Sequence, residues 1–234
     1  MSIFGFLTMG TKAVCNIDSY VYSSMQGTLE SICHVLQNGR ISDSYALLRR
    51  YYDSAIINIY SNLYLQNHFS IENFIVAKID NWLKGKQRLP EYRVMSNYIR
   101  NSPRLATITD LLFSDTTYKN IRDRCNDHTH YNFFDNVLCN DNQVYIKSRI
   151  TILDSFSKDL ENILILHLSY LFFLNDHYMM SSDYVDHLEC GQTPPEGSQY
   201  FVAPFVQELF DSAIKKSRMD IAVAIKNNTQ MKLE

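Results

Sequence analysis

The chain has 234 residues, a formal net charge of -3 and a pI near 6.2, which argues against a protein that coats long nucleic acid through a global basic field. Hydrophobic residues make up 46% of it, enough to fill the core of one domain or of a domain with an appendage, while seven Gly and five Pro are too few for a turn-rich all-β sandwich. Five cysteines (Cys15, Cys33, Cys125, Cys139, Cys190), odd in number and without Cys-x-x-Cys spacing, predict no disulfide framework and suit a reducing cytoplasmic setting.

From the N-terminus, "MSIFGFLTMGTK" is apolar but has no basic residue before it, which makes a poor secretory signal. Val21, Met25, Leu29, Ile32 and Leu36 recur at three- and four-residue steps and predict a first helix that stops at Gly39. A second begins with Ser42 or Asp43 as cap and carries the stripe Leu47, Tyr51, Ala55, Ile59, Leu63. In "SIENFIVAKIDNWLKGK" Ser70 is the expected cap, Phe74, Ile75, Ile79, Trp82 and Leu83 the inward residues, and Gly85 the exit. Pro90 and Pro103 each sit where a first helical turn accepts proline, and a shorter helical piece follows over 104–113.

"TTYKNIRDRC" reads as a helix with Ile121 and Cys125 inward, broken or capped at Asn126 and Asp127. "HTHYNFFDNVLC" then starts another, with Phe133, Phe134 and Val137. Residues 145–175 are expected to form the longest and most apolar helix. Its "NILILHLSYLFFL" run is ~13 residues against the roughly 20 that span a bilayer, so His167 is read as a satisfied core or interface histidine and no membrane partner is expected. "ECGQTPPEGSQY" at 189–200 is the one Gly/Pro-rich loop, and two short amphipathic helices follow it. The expected architecture is an all-α helical domain over 1–188 with a C-terminal loop and short-helix appendage over 189–234.

Residues 121–132, "IRDRCNDHTHYN", hold the densest collection of reactive side chains. In an unbroken helix Ile121, Arg124, Cys125 and His128 share one face and Arg124 neighbours His128. With a break at 126–127, Arg124 would instead meet His130 across a turn, and Arg122 and His128 have the same six-residue separation. An arginine and a histidine suffice for one chemistry: RNA carries its own nucleophile in the 2′-hydroxyl, histidine ordinarily titrates near neutrality and can move the proton, and arginine stabilises charge on phosphate. Asn126 or Asp127 would orient the imidazole or the phosphate. No cofactor and no metal is needed. The bland reading is a capping turn with solvated arginines and backbone-bonded histidines. A zinc set of Cys125, His128, His130 and Cys139 fits no common spacing. His177 and His187 with Asp176, Asp183 and Asp186 read as a polar helix end. Cys125 reads as a packing thiol, and Arg49 and Arg50 as a solvated pair that could also reach RNA phosphate.

An Arg, a nearby polar residue and a His six positions on, at a helical junction of a small all-α chain, resembles the R-x4–6-H motif of the HEPN superfamily. Both Arg122 with His128 and Arg124 with His130 fit that form. The second is favoured because Asn126 then lies inside the motif; in the first, Asp123 follows the arginine directly. "LRRYYDSAIINIY" at 48–60 resembles the second core helix of that family's fold. The resemblance implies a metal-independent endoribonuclease, active as a homodimer with a composite RNA cleft and often a toxin or abortive-infection effector in antiviral defence with an antitoxin or sensor partner. It also implies an alternative, a catalytically inactive module for dimerisation or partner binding. Some family toxins are silenced by modification of a tyrosine near the motif, a position that Tyr131 occupies here.

Overall fold

A computed structural model describes Lys12 and residues 14–234; the rest of the N-terminal stretch read above for a signal lies outside the described residues. The described residues form α-helices joined by short 3-10 turns and loops, with two isolated β-bridges and no strand, so the chain is all-α. The helices are α1 (Ile17–Gln37), α2 (Ile41–His68), α3 (Ala77–Leu83), α4 (Tyr92–Arg100), α5 (Ala106–Leu112), α6 (Thr117–His130), α7 (Phe134–Leu138), α8 (Arg149–Leu174), α9 (Ser182–Glu189), α10 (Pro204–Leu209) and α11 (Met219–Asn228). No described helix is long and apolar enough to cross a membrane.

Two compact units share the chain. Met1–Ile99 and Thr117–Leu160 make the first, Arg100–Thr116 and Glu161–Glu234 the second. Residues 189–234 lie wholly within the second.

In the first unit α2 is the central element, packed against both α1 and α6. This explains why its burial is wider than one stripe: Tyr51, Ala55, Ile59 and Leu63 are buried as the periodicity predicts, and so are Tyr45, Leu48, Tyr52 and Ile56. Its 28 residues make it longer than α8 at 26, contrary to the sequence expectation. The Asp18 carboxylate of α1 accepts hydrogen bonds from Asn58 and Asn62 of α2 at 2.7 and 2.8 Å, a polar stitch that sets the register of an otherwise apolar pair.

Ser42 and Asp43 do not cap α2. The cap comes from the chain after α7: Asn140 Oδ1 accepts the Asp43 N–H and the Cys139 carbonyl accepts the Ile41 N–H, both at 3.1 Å. Gly39, at φ 72°, makes the turn before α2; a Cβ there would stand 3.0 Å from the Asn142 Cβ. Ser42 is thereby released to face inward.

The third predicted helix is shorter than its pattern. Ser70 and Asn73 exchange backbone hydrogen bonds in a tight turn, and the Asn73 side chain reaches back to the His68 carbonyl at 2.8 Å. These local bonds compete with helix formation, so α3 starts only at Ala77 and Phe74 and Ile75 are 65% and 66% exposed.

In the second unit the Thr109 and Tyr170 hydroxyls share a hydrogen bond of 3.0 Å, and Arg218 donates to the Leu111 carbonyl that ends α5. The chain between α10 and α11 includes a π-helical turn, Phe210–Lys215, with Phe210 and Ile214 buried. His167, on α8, is 5% exposed, and burial pushes its pKa down to about 4. The folded state therefore keeps this imidazole neutral, whereas the unfolded chain takes up a proton below the ordinary value of 6.5. Stability from this source is complete above pH 6.5 and falls as the pH drops toward 4, by up to about 3 kcal/mol. Urea titrations at pH 7, 5.5 and 4.5 are expected to show that decline, and His167→Gln to flatten it.

Candidate functional site

The helix that carries the reactive cluster does not break where Asn126 and Asp127 predicted it would. α6 runs on to His130. Asn and Asp are weak helix formers, but Ile121, Cys125 and His128 bury their side chains from this helix, and that packing outweighs a few tenths of a kcal/mol of propensity per residue. The exit comes at Tyr131, in the left-handed region at φ 50°. The Asn132 N–H bonds the Asp127 carbonyl at 3.0 Å and the Tyr131 N–H the His128 carbonyl at 3.4 Å, the paired closing bonds of a Schellman motif. The Asp127 carboxylate accepts from the Asn132 side chain at 2.8 Å, so it fastens this turn.

A continuous helix changes which residues are neighbours. Six positions on an α-helix differ by roughly 120° in direction. Neither predicted pair, Arg124 with His130 nor Arg122 with His128, shares a face. The motif separates instead into an inner set, Arg124, Cys125 and His128, and an outer set, Arg122, Asn126 and His130.

In the inner set Cys125 and His128 are buried, and Arg124 is half-buried and held by a buried carboxylate. The His128 imidazole is 8% exposed and lies flat on the Tyr45 ring, centroids 4.1 Å apart and planes 8° apart, while Phe156 meets Tyr45 edge-on at 5.0 Å. Ser42 Oγ donates its one hydrogen to the Asn136 carbonyl, so toward His128 Nδ1, 2.9 Å away, it acts as acceptor. That places the ring proton on Nδ1. Burial lowers the His128 pKa below the ordinary value, the Asp127 charge opposing it, and the ring is neutral at neutral pH. Arg124 grips the buried Asp159 carboxylate through both Nε and Nη2, at 2.8 and 2.5 Å, and this bond raises its pKa further. Burial pushes the Cys125 thiol up to about 12, which keeps it protonated and unreactive as a nucleophile.

The outer set faces α2. Arg122 donates to Asp53 at 2.7 Å and its guanidinium lies over the Tyr92 ring at 3.3 Å. Asn126, one helical turn further on, has its Oδ1 buried without a hydrogen-bond partner. His130, another turn on, is exposed, and its Nε2 stands 3.4 Å from Nη1 of Arg49. An arginine only donates, so Nε2 presents its lone pair to the guanidinium. Arg49 makes no ion pair with a carboxylate among the described residues, unlike Arg122 and Arg124. Arg50 beside it is exposed.

Sequence reasoning named Arg49 as half of a solvated pair that could also reach RNA phosphate, and did not bring it to His130. Ser42, Tyr45, Asp53 and Asp159 had no signal in the motif, since each comes from another helix. Cys139 is buried, and among the described residues no three His, Cys, Asp or Glu side chains gather as a metal site would require.

Tyr131 is 44% exposed, and its hydroxyl accepts from Asn140 at 3.2 Å. A left-handed conformation costs a non-glycine residue about 1–2 kcal/mol. Tyr131→Gly is therefore expected to raise stability by about 0.5–1 kcal/mol after the loss of the Asn140 contact, read as a higher melting temperature.

No family model, curated protein or solved structure matches this chain.

Proposed function

We propose that the protein is a metal-independent endoribonuclease of HEPN type, with His130 as the proton-transfer group and Arg49 as the phosphate clamp. The observation that carries this reading is the ring nitrogen of exposed His130 set against a guanidinium that has no carboxylate partner among the described residues. A phosphodiester placed between them finds a base for its 2′-hydroxyl and a donor for its non-bridging oxygens. The 2′-oxygen forms the new bond to phosphorus, the bond to the 5′-oxygen breaks, and the products end in a 2′,3′-cyclic phosphate and a 5′-hydroxyl. Arg122 and Asn126 continue the same helical face, Arg122 held there by Asp53 and the Tyr92 ring. In a homodimer whose two motifs line one cleft, the same histidine of the second copy protonates the leaving oxygen. A cytoplasmic toxin or antiviral-defence effector, controlled by an antitoxin or a sensor, is the role this reading suggests.

One observation favours a second reading, a catalytically inactive HEPN-like module for dimerisation or partner binding: both motif arginines are already tied to carboxylates, Arg122 to Asp53 and Arg124 to Asp159. Incubation of pure protein with RNA in excess chelator separates the two. Cleavage to cyclic-phosphate ends, reduced about 10²- to 10³-fold by Arg49→Ala, supports the enzyme. Intact RNA with the wild-type protein, together with a stable dimer, supports the module. Cleavage that chelator abolishes overturns the metal-independent mechanism.

A further inference from the structure

The second unit contains a cavity that the proposed ribonuclease chemistry does not use. It is partly open to solvent, holds about 210 Å³ and is walled by Met179, Met180, Met231, Tyr184, Tyr200 and Val202, with Asp176, His177, Gln199 and Gln230 as its polar groups.

Its frame is held by backbone hydrogen bonds between segments distant in sequence. Ser181 N–H bonds the Phe201 carbonyl at 2.7 Å and Ala203 N–H the Met179 carbonyl at 3.0 Å, on either side of the Met180–Val202 bridge. Lys232 N–H bonds the Tyr200 carbonyl at 2.8 Å, and Gln230 N–H bonds Asp176 Oδ2 at 3.0 Å. The C-terminal segment is thus part of the wall, anchored by the buried Met231 and Leu233. Interiors usually fill such volume, and methionine, with its unbranched and flexible side chain, is the residue best able to do so. Three methionines surround this space and leave it open.

The lining chemistry narrows what would enter. Thioethers and phenol rings make favourable contacts with the faces and edges of flat aromatic rings. The rim offers acceptors, the Asp176 carboxylate and the Gln199 and Gln230 amide carbonyls; among the described lining residues there is no lysine or arginine, and the one ionisable donor, His177, stands 3.9 Å from the Asp176 carboxylate. The volume suits a group of about a purine base's size and is below the usual range for a drug-sized ligand. We propose that this cavity binds a flat nitrogen heteroaromatic group, neutral or cationic, with N–H donors on its edge.

The test uses the full chain with its methionine methyl groups carbon-13 labelled, so that Met179, Met180 and Met231 report on the cavity while Met25 and Met95, buried in the first unit, report on the fold. Adenosine and benzamidine are expected to shift the three cavity methyl signals through ring-current effects and to saturate at roughly millimolar concentration or below. Benzoate, the same ring with a negative charge, is expected to leave them in place. Val202→Trp, which fills the space, should weaken the response tenfold or more with the Met25 and Met95 signals unchanged; Val202→Phe serves as the second variant, with the same expected weakening, if the tryptophan disturbs the unit. The proposal is overturned if neither adenosine nor benzamidine moves the three signals, or if benzoate moves them equally. These outcomes are independent of whether RNA is cleaved.

Discussion

Arg124→Ala is expected to destabilise the first unit by about 2–3 kcal/mol, and to lower any ribonuclease activity only as far as it unfolds the protein. The reason is the partner left behind. Asp159 is 3% exposed and receives two hydrogen bonds from Arg124, which also reaches toward solvent. Without the guanidinium a buried carboxylate stands uncompensated beside the Tyr45 hydroxyl, whose pKa burial and this same charge already raise. Removing both partners avoids that penalty: Arg124→Leu combined with Asp159→Leu is expected to recover most of the loss. Urea midpoints of the two single variants and the double variant measure the coupling. An Arg124→Ala protein with an unchanged midpoint and no RNA cleavage would instead make Arg124 the phosphate clamp and the Asp159 pair dispensable.

The helical class was legible because apolar residues at three- and four-residue steps report one buried face whatever that face meets; Met25 and Ile32 of α1, and Tyr51, Ala55, Ile59 and Leu63 of α2, are buried as their spacing requires. The motif residues were legible as a dense polar group, and so was the face that Arg124, Cys125 and His128 share in an unbroken helix, but the choice between that grouping and a broken one was not. That depended on whether α6 stopped at Asn126, and local propensity pointed the wrong way because it does not contain the packing of Cys125 and His128. The partners Asp53, Asp159, Ser42 and Arg49 lie 35 to 86 positions away along the chain from the residues they meet, and no spacing rule within one segment reaches that far. The turn at Ser70–Asn73 was lost for a similar reason. Periodicity counts apolar positions, while side-chain bonds to the backbone decided where α3 could begin.

The two histidines of the motif are expected to separate cleanly under substitution, in opposite senses for stability and activity. His130→Ala removes an exposed side chain whose one described contact is a long bond to Arg49, so its effect on stability should stay within about 0.5 kcal/mol. If His130 moves the proton, its loss lowers RNA cleavage by about 10²- to 10⁴-fold. His128→Ala removes a buried ring stacked on Tyr45 and deprives Ser42 of its donor, so it should cost about 2–4 kcal/mol. At a temperature where both variants are folded by circular dichroism, the His128→Ala protein should then cleave RNA within about tenfold of wild type. The reverse pattern, with His128→Ala folded but inactive and His130→Ala fully active, would move the chemistry to the inner face. Ser42 would then hold the catalytic ring with its proton on Nδ1 and its Nε2 free to act as the base.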